Sequence, residues 1–144
     1  IVGCDFSNSD LRNANIQASN LNDNNFSACL LIDAKFSVNE IKRCSFLSAN
    51  FSGAEIELTE FRNCIFENAI MNLVSFKLSE ISHTVFNGKL EECSFDNCSF
   101  SNVTFKNATI TNTFFKGKKL KGIQFVDCQA DRMTFEFLKN GKAD

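Results

Sequence analysis

The sequence has no Pro, no Trp and no Tyr, and it contains only six Gly among its 144 residues. Buried Tyr and Trp need a partner for their polar atom, whereas Phe does not. The 17 Phe residues therefore predict one dry interior that all the aromatic side chains share. With little Gly and no Pro, tight turns need another residue, and we expect the 18 Asn residues to fill that role because Asn tolerates left-handed backbone.

Long apolar runs and a strong net charge are also missing. No apolar stretch approaches the roughly 20 residues that span a bilayer, and no signal-peptide pattern is visible at the start. The net charge of −2 is too small to direct the chain to nucleic acid or to an anionic membrane. Residues 1–72 hold 5 basic and 9 acidic side chains, and residues 73–144 hold 10 and 8. These values predict no direct nucleic-acid binding and no membrane span.

A large apolar residue recurs at every fifth position along the chain. The register runs from Phe6 to Phe86, loses one residue, and resumes from Leu90 to Phe135. Of these 27 central positions, 26 are large and apolar, and they hold 15 of the 17 Phe. The residue two before each centre is small in 22 of the 27 units. Two inward side chains at a spacing of two indicate a short strand, and the remaining residues turn a corner.

Several units resemble the consensus Ala-(Asp/Asn)-Leu-x-x of the pentapeptide-repeat proteins, among them Ala14-Asn15-Ile16, Ala49-Asn50-Phe51 and Ala54-Glu55-Ile56. The resemblance covers nearly the whole chain. It implies an all-β fold, a right-handed quadrilateral β-helix with four units, or 20 residues, in each coil.

Sampling every 20 residues supports this coil length independently. With one step of 19 across the missing residue, one column reads Phe6, Phe26, Phe46, Phe66, Phe86, Phe105 and Phe125. A second column runs from Ile16 to Phe135. At about 4.8 Å between strands, about seven coils make a rod on the order of 34 Å long.

The repeat is irregular at two places. Gly88 lies where one residue is missing, so we expect a kink or bulge near residues 87–89. Lys118 occupies a small inward position, where an unpaired ammonium is costly. It belongs to a basic patch of Lys116, Lys118, Lys119 and Lys121, which is either a solvated loop or a docking site for an acidic partner.

The two ends of the chain differ. Ala130, Met133, Phe137 and Leu138 recur at helical spacing before Asn140-Gly141, which predicts a short helix that caps the last coil. We divide the chain into a β-helix over residues 1–137 and a tail, or end of the cap, over residues 138–144. Ile1 is already in register, so we expect the natural chain to extend upstream and this segment to be one domain of a larger protein.

The seven Cys residues all fall on the small inward position, where a thiol behaves as a small hydrophobe. They are Cys4, Cys29, Cys44, Cys64, Cys93, Cys98 and Cys128. No Cys-x-x-Cys motif is present, which argues against a metal site. Cys44 and Cys64 are one coil apart, so an oxidised pair stays open as an alternative. An odd number of unpaired thiols predicts a reducing compartment.

Catalytic residues are not apparent in the sequence. His83 is the only His and lies at an outward position, as do Glu55, Glu57, Glu60 and Glu67. A filled four-sided helix offers no cleft to bring such groups together. We therefore expect no enzyme activity and no cofactor within this segment.

A set of apolar residues departs from the polar character of the outward positions. Because a contiguous apolar patch often marks an interface, we predict an interface with a partner or an adjacent domain in coils two to four. The candidate residues are Val38, Leu58, Ile65, Ile70, Leu73, Leu78 and Val85. Local packing over the corners is the alternative.

Three functions follow from these patterns. The first is a protein-interaction scaffold within a larger protein. The second, implied by the resemblance, is a DNA mimic of the kind that binds DNA gyrase and gives quinolone resistance, although the low net charge weakens it. Third, the Phe-rich and Cys-rich repeats are similar to the β-helix domains of type III secreted bacterial effectors, including those with a HECT-like E3 ubiquitin ligase. This last resemblance implies a host or bacterial protein partner, and a location in the bacterial cytoplasm or, after secretion, in the host cytoplasm.

Overall fold

The computed structural model of the chain describes residues 1–117, 120–141 and 143. These residues form a right-handed β-solenoid of about six turns, followed by one short helix. The strands are β1 (Asn15–Gln17), β2 (Asn20–Asn22), β3 (Lys35–Ser37), β4 (Glu40–Lys42), β5 (Glu55–Glu57), β6 (Glu60–Arg62), β7 (Ile65–Phe66), β8 (Met71–Asn72), β9 (Ser75–Lys77), β10 (Glu80–Glu91), β11 (Ser94–Asp96), β12 (Ser99–Thr111), β13 (Phe114–Lys116), β14 (Ile123–Val126) and β15 (Gln129–Ala130), and the helix is α1 (Arg132–Asn140).

All strand pairs are parallel and join each coil to the next. Asn15 pairs with Lys35 at a separation of 20 residues, and Ser75 pairs with Ser94 at 19, across the missing residue. The predicted coil length is therefore confirmed. One sheet has the order β1-β3-β5-β9-β11-β13, and the second has the order β14-β12-β10-β6-β4-β2.

Each coil has four faces, which we number by their central residues. The first face holds the seven-Phe column that begins at Phe6, and the second holds Leu11, Leu31, Phe51, Met71, Leu90 and Ile110. The third holds Ile16, Phe36, Ile56, Phe76, Phe95 and Phe115, and the fourth holds Leu21, Ile41, Phe61, Ile81, Phe100 and Leu120.

The core is a set of stacked apolar columns along the rod. On the first face, six successive ring pairs from Phe6 to Phe125 have centroid distances of 5.0 to 5.2 Å and interplanar angles of 6 to 18°. On the third face, Phe95 stacks on Phe76 at 4.7 Å and on Phe115 at 4.8 Å. The Phe-filled interior is thus confirmed, but not every Phe shares it, because Phe114 and Phe135 are exposed.

The number of coils is slightly lower than the predicted seven. After β15 the chain enters α1, so Phe135 lies on the helix and is 55% exposed instead of closing the third-face column. Among the described residues no strand follows α1, and the backbone hydrogen bonds of this segment are made within the helix. The prediction for Phe135 is wrong, while the predicted short helix is confirmed.

Helix α1 is anchored to the last coil by polar contacts. Asp131 accepts a hydrogen bond from the Thr134 backbone N–H at 3.3 Å as the N-cap. The buried Thr134 hydroxyl accepts one from the Thr113 backbone N–H at 3.1 Å. The Phe137 ring meets the Phe114 ring edge-on at 5.4 Å, and Leu138 is buried.

The missing residue produces a β-bulge on the first face. Phe86 pairs with Phe105 and Gly88 pairs with Ala108, so Asn87 alone opposes Lys106 and Asn107. Gly88 adopts a φ of 82°, which is left-handed backbone. The predicted irregularity thus lies at this position.

Candidate protein-interaction surfaces

Nearly every corner of the rod is turned by a residue with left-handed backbone, two residues after the centre of a unit. The most frequent residue there is Asn, which occupies eight such positions with φ between 46 and 60°. Asn tolerates this conformation because its short side chain bonds to the local backbone. The predicted role of Asn in the turns is therefore confirmed.

Four large apolar residues occupy such corners, and three of them, Val38, Leu58 and Leu78, share one corner column and define a corner ridge. Val38, Leu58 and Leu78 have φ values of 58, 50 and 49° and are 53, 52 and 47% exposed. They follow the third-face centres of three successive coils. A branched or bulky side chain is strained in this backbone region. The corner ridge thus combines strain with exposure, two features that do not favour the folded state.

Buried polar residues next to the corner ridge form hydrogen bonds to the backbone that precedes it. Thr59 and Ser79 follow Leu58 and Leu78 and are 1 and 3% exposed. Their hydroxyls donate hydrogen bonds across the corner to the carbonyls of Glu57 and Lys77, at 3.0 and 2.9 Å. The five-residue repeat in the sequence predicts that these positions face inward. It does not predict the hydrogen bonds that their hydroxyls make beside the ridge.

The remaining predicted interface residues lie apart from the corner ridge. Ile65 pairs with Val85 on the first face, Ile70 lies on the second face, and Leu73 turns the corner between the second and third faces. All four are half-exposed. The third and fourth faces, which are rich in charge, separate them from the ridge. The seven predicted residues are exposed as expected, but they do not form the single contiguous patch that we predicted.

Charge is distributed unevenly around coils two to four. Residues 24–33, 44–53 and 64–73, which form the first and second faces, contain two charged side chains, Asp33 and Glu67. Residues 34–43, 54–63 and 74–83, which form the third and fourth faces, contain ten. We call these surfaces the neutral side and the charged side. The corner ridge lies on the charged side, and Ile65 and Ile70 lie on the neutral side.

A shallow groove follows the first face beside the β-bulge. It has a volume of about 620 Å³ and contains the exposed side chains of Ile65 and Val85. His83 lines one edge and contacts the Asn102 side-chain amide at 3.1 Å. Lys106, from the bulge, lines the groove as well. Cys64 and His83 both line the groove, but the Cys64 side chain is buried and its thiol donates hydrogen bonds to the carbonyls of Ile41 and Arg62 at 3.5 and 3.6 Å.

The thiols are free, and most of them are buried in the stacked columns. Burial raises the pKa of Cys64 to about 12 and that of Cys93 to about 11, which makes these thiols unreactive. Cys4, in the first described coil, is exposed. Cys98 and Cys128 are half-buried. Among the described residues no cluster of His, Cys, Asp and Glu is arranged to hold a metal ion.

Half of the predicted basic patch is visible in the structure. Lys116 and Lys121 are exposed, whereas Lys118 and Lys119 lie outside the described residues. In the part of the chain that the structure describes, no helix has the length and apolar character needed to cross a membrane.

A sequence profile described as "Pentapeptide repeats" matches residues 1–37 and 86–122, with eight copies of the repeat. A search among curated proteins finds no match.

Solved structures of the same architecture also resemble the chain. A trypsin-treated variant of QnrB1, a plasmid-mediated fluoroquinolone resistance protein, is 16% identical with a TM-score of 0.51, covering 96% of this chain and 84% of that one. A second trypsin-treated variant is 18% identical with a TM-score of 0.49, covering 96 and 83%. A pentapeptide repeat protein from the thylakoid lumen of Arabidopsis thaliana is 21% identical with a TM-score of 0.36, covering 96 and 73%. At these identities the likeness concerns the fold alone.

Proposed function

Because the chain belongs to the pentapeptide-repeat family, we propose that it is a protein-interaction scaffold whose corner ridge is the main contact with a protein partner. The observation that carries the proposal is the combination found in Val38, Leu58 and Leu78, which are half-exposed and have left-handed backbone. Strain that persists on a surface is typical of a functional position. Burial of these exposed apolar side chains against a partner would contribute favourable hydrophobic free energy to binding.

The charged faces on both sides of the corner ridge fit this role. Glu60 and Arg62 lie on one side, and Glu57 and Lys77 lie on the other. An apolar centre with a charged rim is the usual anatomy of a protein interface. The partner therefore presents an apolar groove with polar edges to the ridge.

The double variant Leu58→Asp/Leu78→Asp tests the proposal. We expect it to lose its partner in affinity capture with quantitative mass spectrometry while it stays folded by circular dichroism. The matched control is Ser48→Asp/Asn68→Asp, since both residues have left-handed backbone on the diagonally opposite corner. The role of the corner ridge would be overturned if both variants retained the same partners. It would also be overturned if both variants lost them.

We further propose that the scaffold works within a larger bacterial effector-type protein and that no catalysis occurs in this segment. The Phe-rich and Cys-rich repeats support the first part. The free thiols are consistent with a reducing compartment such as the bacterial or host cytoplasm. Delivery of the natural protein into host cells by a type III system, with a secretion-deficient strain as control, tests this context. Failure of delivery would leave the corner ridge proposal intact.

Binding to DNA gyrase is the second candidate function. The likeness in fold to QnrB1 favours it, but a DNA mimic needs a strongly acidic surface, and the charged side carries both signs: Lys35, Glu40, Lys42, Arg43, Glu55, Glu57, Glu60, Arg62, Lys77 and Glu80. A supercoiling assay with the purified chain decides between the two. Inhibition, or protection of gyrase from quinolones, at micromolar concentration would establish this candidate, and no effect would remove it.

A further inference from the structure

The second face of the rod carries a sequence of side chains that is symmetric about its third coil. Its outward ladder runs through five successive coils as Asp10, Leu30, Asn50, Ile70 and Lys89. The outward residues on the other edge of the same strands are Arg12, Ile32, Ser52, Asn72 and Glu91. The first and fifth coils therefore each present an ion pair. The second and fourth coils present the apolar residues Leu30 and Ile70, and the third coil presents the small polar residues Asn50 and Ser52.

The two ion pairs point in opposite directions across the strands. Asp10 precedes the centre of its unit and Arg12 follows it, at 2.6 Å, whereas Lys89 precedes its centre and Glu91 follows, at 2.7 Å. Between them, Leu30 and Ile70 are 38 and 50% exposed. This stretch of the second face belongs to the neutral side, so no cluster of like charges prevents close approach.

We propose that the second face binds a second copy of this chain, in an antiparallel homodimer whose two-fold axis runs along the strand that contains Asn50. A two-fold interface must be self-complementary: if one residue of the first copy contacts a second residue of the other copy, the reverse contact is made as well. In this arrangement Asp10 faces Lys89 of the second copy, Arg12 faces its Glu91, and Leu30 faces its Ile70. Ile32 faces its Asn72, which is the one pair that joins an apolar side chain to a polar one. Asn50 and Ser52 meet their own counterparts at the axis.

The size of the face predicts a weak dimer. Five coils at about 4.8 Å and a face about 10 Å wide bury only a few hundred Å² on each copy. Interfaces below about 1,200 Å² in total are typical of transient association. We therefore expect a dissociation constant in the range of about 10 μM to 1 mM.

Sedimentation velocity of the full chain, from about 10 μM to 1 mM, tests the association. We expect the wild type to shift from monomer to dimer and Leu30→Asp/Ile70→Asp to stay monomeric throughout. Leu58→Asp/Leu78→Asp is the matched control and should dimerise as the wild type does, which separates this proposal from the corner ridge. A monomeric wild type at 1 mM, or loss of the dimer in the control, would overturn the proposal.

A charge swap tests the antiparallel pairing. Asp10→Arg/Arg12→Asp keeps an ion pair within the chain but places like charges opposite the second copy, so we expect at least ten-fold weaker dimerisation. Adding Lys89→Glu/Glu91→Lys should restore it. In a parallel dimer Asp10 would face Arg12 of the second copy, and the first swap alone would have no effect. That result, or failure of the rescue, would contradict the antiparallel pairing.

Discussion

At the scale of single residues, the cost of a corner depends on which side chain turns it. Left-handed backbone costs an ordinary L-residue roughly 1–2 kcal/mol, and Asn avoids much of that cost. The rod uses Asn at four corners of its last coils, but it uses Val38, Leu58 and Leu78 at the same corner of three successive coils. A chain selected only for stability would not retain these residues, which is why their presence argues for binding.

Val38 gives the sharpest test of this reasoning, because a β-branched residue is the least suited to left-handed backbone. Replacing it with Asn relieves the strain and removes a side chain that is already 53% exposed. We expect Val38→Asn to raise the free energy of unfolding by about 0.5–1 kcal/mol in urea denaturation. Ser37→Asn, at the neighbouring outward position, should change it by less than about 0.5 kcal/mol. Destabilisation by Val38→Asn would instead show that the corner ridge is local packing.

At the scale of the elements, the five-residue period predicted the strands and columns because one rule, a large and a small inward side chain, holds in every unit. The rule fails at the ends, where a coil has only one neighbour. Cys4 is exposed at the first coil, and Phe135 leaves the stack at the last. The single apolar patch was wrong for a different reason. Five residues carry the chain to the next face, so close positions in sequence such as Ile65 and Ile70 lie around a corner from each other.

Helix α1 replaces a further coil as the cover of the rod, and Thr134 supplies the contact that a coil would otherwise make. Its buried hydroxyl accepts the Thr113 backbone N–H at 3.1 Å. Thr134→Val keeps the shape and leaves that donor unsatisfied, so we expect a loss of about 1–3 kcal/mol in unfolding free energy, measured in urea. Thr109→Val, at an exposed strand position, is the control and should be nearly neutral. Equal stability of both variants would mean that the helix does not cap the rod.

At the scale of the whole molecule, the rod has two sides with different chemistry. The neutral side offers a surface that pairs with itself. The charged side carries the corner ridge, which lies between its third and fourth faces. The second face and the ridge are separated by the third face, so a dimer through the second face leaves both ridges exposed. Two copies of the ridge on one particle make the dimer a bivalent scaffold.

Bivalence predicts a dependence on partner density that a monomer cannot show. On a biosensor surface with dense partner, the wild-type dimer should dissociate at least ten-fold more slowly than on a sparse surface, because the second ridge rebinds at high effective concentration. The monomeric variant Leu30→Asp/Ile70→Asp should dissociate at the same rate on both surfaces, since its ridge is unchanged. The wild type must be applied at concentrations where sedimentation shows a dimer. If its dissociation rate is then the same on the dense and the sparse surface, the two ridges do not act together. Slow dissociation of the variant from the dense surface would likewise mean that a contact other than dimerisation holds the partner.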